Sequence, residues 1–121
     1  KGPTHAMKIN AANTILYCNR WKETVEFYTT GLYLPVLLDR EWFVEFQLTG
    51  SARLSIADAD RAAVKSNGGN GITISLKVDN IQSAYIDFRH RNLNPTPIRP
   101  LWGSMVFYLY DPEGNRLEFW S

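Results

Sequence analysis

The segment Asn19-Arg20-Trp21-Lys22-Glu23-Thr24-Val25-Glu26-Phe27-Tyr28 and its echo Asp79-Asn80-Ile81-Gln82-Ser83-Ala84-Tyr85-Ile86-Asp87-Phe88 decide how this chain is read. In the first, Trp21, Val25 and Tyr28, with Leu32 beyond Gly31, fall at helical spacing. Asn19 is placed to cap that helix and Gly31 to close it in a left-handed conformation. In the second, Ile81, Ala84, Tyr85 and Phe88 repeat the pattern behind an Asp79…Gln82 pair that fits a capping box. Trp21 and Ile81, Val25 and Tyr85, and Tyr28 and Phe88 are each 60 residues apart, the mark of an internal repeat.

Strand-like runs surround each helix in the same order. Asn13 to Cys18 precedes the first helix; Leu34 to Leu38, Trp42 to Leu48 and Arg53 to Asp58 follow it. Ile72 to Val78 precedes the second helix; a Pro-broken edge at Asn94 to Arg99, then Ser104 to Tyr110 and Arg116 to Trp120, follow. In Asp111-Pro112-Glu113-Gly114-Asn115, Pro112 suits the first corner of a type I turn and Gly114 the following left-handed position. The expected fold class is α+β: two tandem βαβββ modules forming a curved mixed-sheet cup with helices on the outer face. The modules span about 8–58 and 71–121, joined by a polar linker at 59–70, in one domain over 7–121. Neither module of about 50 residues buries its apolar face well alone, so the two must share a core. Residues 1–6 lack periodicity and precede Met7, which fits a tag remnant.

Composition bounds the function. With 13 Lys+Arg against 12 Asp+Glu over 121 residues, the formal charge is +1, which argues against a nucleic-acid partner. No 18-residue apolar run exists to span a membrane, and a single Cys excludes an intrachain disulfide, so a cytoplasmic protein is expected. The two histidines are His5, inside the excluded segment, and His90, in a cationic run at a helix end where the dipole favours positive charge. Cys18 lies on the helix side of its strand, where a small buried apolar role is expected rather than a nucleophile. Counting alone thus disfavours a His-rich zinc site, a two-His-one-carboxylate iron site and a His-based triad. Gly68-Gly69-Asn70-Gly71 lacks the Lys and the following helix of a phosphate loop and reads as linker.

Strand alternation sorts side chains onto two faces. Ile74, Leu76 and Val78, Leu117 and Phe119, and Leu54 and Ile56 share the apolar sides. The mixed sides carry Asn13, Ile15, Tyr17, Arg53, Ser55, Thr73, Ser75, Lys77, Tyr108, Tyr110, Arg116, Glu118 and Trp120. Sixteen aromatics are more than a core of this size needs. Several of them stand beside polar groups on the mixed face, with Trp102 at the start of a strand, as a small-molecule pocket requires.

These features resemble the vicinal oxygen chelate superfamily, which includes glyoxalase I, extradiol dioxygenases, fosfomycin-resistance enzymes and bleomycin-resistance proteins. The resemblance rests on the repeated module, Val25-Glu26-Phe27-Tyr28…Gly31-Leu32, Val78-Asp79-Asn80, Trp102-Gly103 and the terminal Tyr110-Asp111-Pro112-Glu113-Gly114-Asn115-Arg116-Leu117-Glu118-Phe119. It covers about residues 8 to 121. It implies a cup, often completed by a second subunit, that holds four metal ligands in metal-dependent members. Those four positions fall on Asn13, Ser55, Thr73 and Glu118, of which only Glu118 keeps a usual ligand type. No metal or other cofactor is therefore expected, although Mg or Ca could be held weakly by such oxygens. The resemblance is nearest to the bleomycin-resistance type, which binds and sequesters a compound. The expectation is a homodimeric small-molecule binding protein, with a role in antibiotic or toxic-metabolite resistance. Its ligand is an aromatic or cationic compound, held by Asn13, Tyr17, Ser55, Thr73, Ser75, Trp102, Tyr108, Glu118 and Trp120. Glu118 would orient the ligand's polar group or pair with Arg53 or Arg116. The alternative is a lyase, isomerase or dioxygenase-like enzyme, metal-dependent or metal-free, using Glu118 as its base.

Overall fold

A computed structural model describes residues 7–121, so the tag assigned to residues 1–6 lies outside the described part. The strands and helices run β1 (Ala12–Cys18), α1 (Trp21–Glu26), β2 (Val36–Asp39), β3 (Phe43–Gln47), β4 (Ala52–Asp58), β5 (Thr73–Lys77), α2 (Ile81–His90), β6 (Arg99–Leu101), β7 (Ser104–Tyr110) and β8 (Arg116–Trp120). This is the βαβββ module twice over. Each copy forms its own four-stranded mixed sheet, in the order β1-β4-β3-β2 and β5-β8-β7-β6. The first strand of each module pairs in parallel with its last, Ile15 opposite Ser55 and Ser75 opposite Glu118. Positions 15 and 75, and 55 and 118, are therefore equivalent between the copies. Among the described residues no helix is long and apolar enough to cross a membrane.

Alternation places the apolar sides together. Leu16 and Cys18 from β1, Val44 and Phe46 from β3, and Leu54 and Ile56 from β4 form one buried cluster with Phe107, Leu109, Leu117 and Phe119 from the second sheet. Tyr28, Ile81 and Phe88 from the helical segments complete it. Phe107 stacks on Phe119 at 5.4 Å, and Phe88 meets both rings edge-on. One shared core thus serves both modules, because each sheet has only one apolar side to bury.

The helix ends differ from the sequence expectation, and each difference has a tertiary cause. Asn80, rather than Asp79, caps α2: its side-chain oxygen accepts from the Ser83 N–H at 3.0 Å. The α1 helix starts at Trp21 with no side-chain cap of its own, so Asn19 does not serve as one. The two amides just before it are held by the other module, with Asn19 N–H and Arg20 N–H donating to the Glu113 carboxylate at 2.9 and 2.8 Å. Nor does Gly31 close that helix in a left-handed conformation. The chain widens into a π turn over Phe27–Gly31, closed by the Leu32 N–H on the Phe27 carbonyl, and Tyr33 takes the positive φ of 57°. Thr24, Thr29 and Thr30 hydroxyls all donate to the carbonyl four residues back, which loosens the ladder. Gly31 serves close packing instead: a Cβ there would sit 3.3 Å from Leu93, and its carbonyl accepts from Arg91 at 2.8 Å. Strand edges also move. The Pro-containing edge forms only at Arg99–Leu101, since the proline-interrupted stretch before it makes no ladder.

The turn between β7 and β8 forms as expected, with Gly114 N–H donating to the Asp111 carbonyl at 2.9 Å and Gly114 at φ 102°. What the turn does was not legible locally. Asp111 is buried, and its carboxylate accepts from the backbone N–H groups of Glu113, Gly114 and Asn115, from the Asn115 amide and from the Tyr28 hydroxyl. Glu113 reaches α1 and also accepts from Ser66 of the linker. The linker glycines lie against this turn: a Cβ on Gly69 would meet Gly114 at 2.3 Å. Two carboxylates of one turn therefore clasp the first helix and the linker onto the second sheet.

Burial would push Glu113 up, but hydrogen bonds from Ser66 and from the Arg20 and Asn19 amides hold it below its ordinary carboxylate value. A lowered folded value means its stabilisation is present above the ordinary pKa near 4.5 and lost as pH falls through the folded value. Glu113→Gln should cost about 1 kcal/mol at pH 7, where the charged acceptor is lost, and progressively less as the pH is lowered through the folded value. Denaturant titrations of both proteins over a series of pH values from 7 downward check this; a cost that stays constant until both proteins unfold in acid would show that the charge is not what clasps the helix.

Candidate functional site

The polar sides of both sheets face away from the shared core. On the first sheet, the Ser55 hydroxyl is fully buried and donates to the Asn13 side-chain oxygen at 2.9 Å, while Tyr17 is half-buried on the same strand as Asn13. Arg53 on this face pairs with Glu45 of β3 at 3.2 Å. Alternation explains the set: Asn13, Ile15 and Tyr17 are every second residue of β1, and Arg53 and Ser55 of β4.

On the second sheet, Ser75 from β5, Val106 from β7 and Glu118 and Trp120 from β8 line a cavity of about 240 Å³ with Leu101, Trp102 and Ser104. Glu118 accepts a hydrogen bond from the Ser75 hydroxyl at 2.6 Å, its neighbour across the parallel pair. Lys77 places its ammonium 5.2 Å from the Trp120 ring. Trp102 and Gly103 are the two-residue turn between β6 and β7, with Leu101 opposite Ser104. Both take positive φ, 47° and 80°, as a type I′ hairpin turn requires. Trp102 is 96% exposed, so the turn presents its ring without burying it.

The expected site residues thus divide. Ser75, Trp102, Glu118 and Trp120 come together in one cavity; Tyr108 lines a second, of about 350 Å³, with Thr96, Pro97, Arg99, Tyr110 and Arg116; Thr73 lines a third beside Gly71 and Arg116. Asn13, Tyr17 and Ser55 belong to the other sheet and line none of these. The expected pairing of Glu118 with Arg53 or Arg116 does not occur. Arg53 is taken by Glu45, and Arg116 turns to the Thr73 hydroxyl at 2.9 Å and the Tyr108 ring at 4.5 Å. Among the described residues Glu118 has no cationic partner within ion-pair distance. Lys77 and Arg99 on the polar face went unrecognised as site residues. Their strand parity was the available signal for them.

The four positions equivalent to family metal ligands do not fit a transition metal. Asn13 and Ser55 satisfy each other, Glu118 is held by Ser75, and Thr73 accepts from Arg116. One carboxylate with three neutral oxygens, spread over two sheets, is a poor donor set for zinc, nickel or iron. No cluster of three or more His, Cys, Asp or Glu occurs among the described residues. His90 is exposed at the end of α2. Cys18 is fully buried, and burial, followed by the nearby Asp111 and Glu113 charges, pushes its thiol up to about 12, so it is no thiolate nucleophile at neutral pH. Burial, then the Asp111 charge and hydrogen bond, likewise raises Tyr28 well above its ordinary value.

The fold, the repeat and the terminal turn agree with a match over residues 5–119 to the family model of the Glyoxalase/Bleomycin resistance protein/Dioxygenase superfamily. The chain belongs to that superfamily. Among solved structures it is similar to a glyoxalase/bleomycin resistance protein/dioxygenase from Nocardioides, at 21% identity and a TM-score of 0.77, covering 97% of this chain and 85% of that one. It is also similar to lactoylglutathione lyase from Agrobacterium tumefaciens, at 19% identity and TM-score 0.73 over 99% and 95% of the two chains. A third is TnmS3, an antibiotic binding protein from Streptomyces sp. CB03234, at 13% identity and TM-score 0.79 over 95% and 97%. At these identities the likeness is one of fold. Comparison with curated proteins returned no match.

Proposed function

We propose that this protein binds and sequesters a small aromatic compound carrying a positive charge, in the cavity between Trp102 and Trp120. The observation that carries the reading is Glu118: a carboxylate on the cavity wall, flanked by two indoles and oriented by Ser75, with no cationic partner among the described residues. A carboxylate in a partly apolar cavity is stabilised by a ligand cation, and indole faces attract the same charge through their quadrupole. The single buried cysteine fits a cytoplasmic location. A homodimer fits the polar side of the first sheet, where exposed Asn13 and Ile15 offer a second wall for a neighbour's cavity. That TnmS3, a protein of similar fold, is an antibiotic binding protein supports sequestration rather than turnover.

Benzyltrimethylammonium, an aromatic cation, tests the site against neutral benzyl alcohol. The cation should quench Trp fluorescence and raise the melting temperature, with Glu118→Gln weakening its binding at least tenfold. Equal binding of the two probes, or full affinity in the Gln variant, would sink the assignment. Consumption of a bound compound, lost in the same variant, would mark Glu118 as a catalytic base instead.

A further inference from the structure

The second polar cavity, beside the Glu118 site, has the opposite charge. Its floor is the Tyr108 ring, which is only 8% exposed. Two guanidinium groups approach this one ring, Arg116 at 4.5 Å and Arg99 at 5.8 Å from its centroid. Neither arginine has a carboxylate partner among the described residues.

The internal repeat shows how unusual this is. Arg53 and Arg116 occupy equivalent positions, opposite Asn13 in β1 and Thr73 in β5. On the adjacent antiparallel strand, Glu45 faces Ser55 and Tyr108 faces Glu118, which makes Glu45 and Tyr108 equivalent as well. In the first module the arginine is neutralised by Glu45 at 3.2 Å. In the second, Tyr108 replaces that carboxylate, and Arg99 of β6, placed on the same face by its pairing with Val106, approaches the same ring. The acid is gone, and two cations share one ring. Glu118 does not compensate, since among the described residues it forms no ion pair with either arginine.

Two like charges over one buried ring repel unless an anion sits between them. The planar forks of guanidinium match the geometry of carboxylate and phosphate oxygens. The rest of the lining suits the body of such a ligand: Pro97 and the exposed Tyr110 are apolar or aromatic. We infer that Arg99 and Arg116, stacked on Tyr108, form an oxyanion site that takes the carboxylate or phosphate group of a small organic acid. The site is separate from the Glu118 cavity and of opposite sign, so each can stand or fall alone.

Benzoate, phenyl phosphate, inorganic phosphate and neutral benzamide are the probes, titrated into nitrogen-15-labelled protein at pH 7 while the arginine Nε–H resonances are followed. Benzoate or phenyl phosphate should shift the Arg99 and Arg116 resonances, and benzamide should not. Binding of inorganic phosphate as tight as phenyl phosphate would show that the cavity reads the charge and not the ring. Arg99→Gln, at an exposed edge position with no role in the core, should weaken binding about tenfold, and Arg116→Gln at least as much. Because Arg116 also holds Thr73, its variant is judged only where its melting temperature matches the wild type; Arg99→Gln carries the test otherwise. Benzamide binding as well as benzoate, or undiminished benzoate affinity in Arg99→Gln, overturns the site. Benzyltrimethylammonium reports on Glu118 and benzoate on the arginines, so failure of one reading is not read as failure of the other.

Discussion

Replacing Asp111 by Ala should lower stability by about 4 kcal/mol, and the melting temperature by roughly 15 °C, with the protein still folded at low temperature. The side chain is buried and accepts five hydrogen bonds, three from backbone amides, one from Asn115 and one from the Tyr28 hydroxyl of the other module. Alanine leaves those donors without partners in a site too enclosed for bulk water, and each orphaned donor costs on the order of 1 to 3 kcal/mol before relaxation. Tyr28→Phe is the informative partner variant. It removes one donor while the carboxylate keeps four, so it should cost about 1 kcal/mol. Thermal and denaturant unfolding of the two variants give the comparison. If Asp111→Ala costs no more than Tyr28→Phe, the turn does not clasp the modules and the backbone bonds alone hold it.

The second large effect has two opposite signs. Trp102→Asn should raise stability by about 1 kcal/mol and weaken the binding of benzyltrimethylammonium about tenfold. A bulky residue held in the left-handed region costs roughly 1 to 2 kcal/mol, which asparagine largely avoids, and Asn-Gly is the preferred pair for a type I′ hairpin. Trp102 sits at φ 47° and is 96% exposed, so no burial offsets that cost within the chain. Strain kept where nothing in the fold repays it points to use by a ligand, because the ring borders the Glu118 cavity. Paired measurements of unfolding free energy and probe affinity decide the matter. A destabilised variant, or one that binds as the wild type does, would mean the tryptophan serves the hairpin itself.

Much of the architecture was legible because it is periodic. The 60-residue spacing between Trp21 and Ile81 announced two copies of one module, and strand parity assigned Leu54, Ile56, Leu117 and Phe119 to the core and Glu118 and Trp120 to the polar side. The β7–β8 turn, too, could be read from Pro112 and Gly114, since turn conformation is a local property. The capping expectation failed for α1 because the entry to the helix is held by Glu113, about ninety residues away, and no local pattern encodes such a partner. The pairing of Glu118 failed for a similar reason. Parity shows that Arg53, Arg116 and Glu118 point the same way, but Glu45 and Tyr108 on the neighbouring strands decide which charge each one meets.

By itself, then, the sequence determined the two βαβββ modules, their shared apolar core and the face on which aromatic and polar groups gather. These follow from periodicity and composition, which act over a few residues at a time. Only the tertiary structure decided that Asp111 and Glu113 fasten one module to the other. It also separated the polar groups of the two sheets, and divided those of the second into an acidic cavity at Glu118 and a basic one at Tyr108. Those outcomes depend on which side chain stands opposite which across a strand pair or a module boundary. There the energy of a charge is set by its neighbours in space and not by its neighbours in the chain.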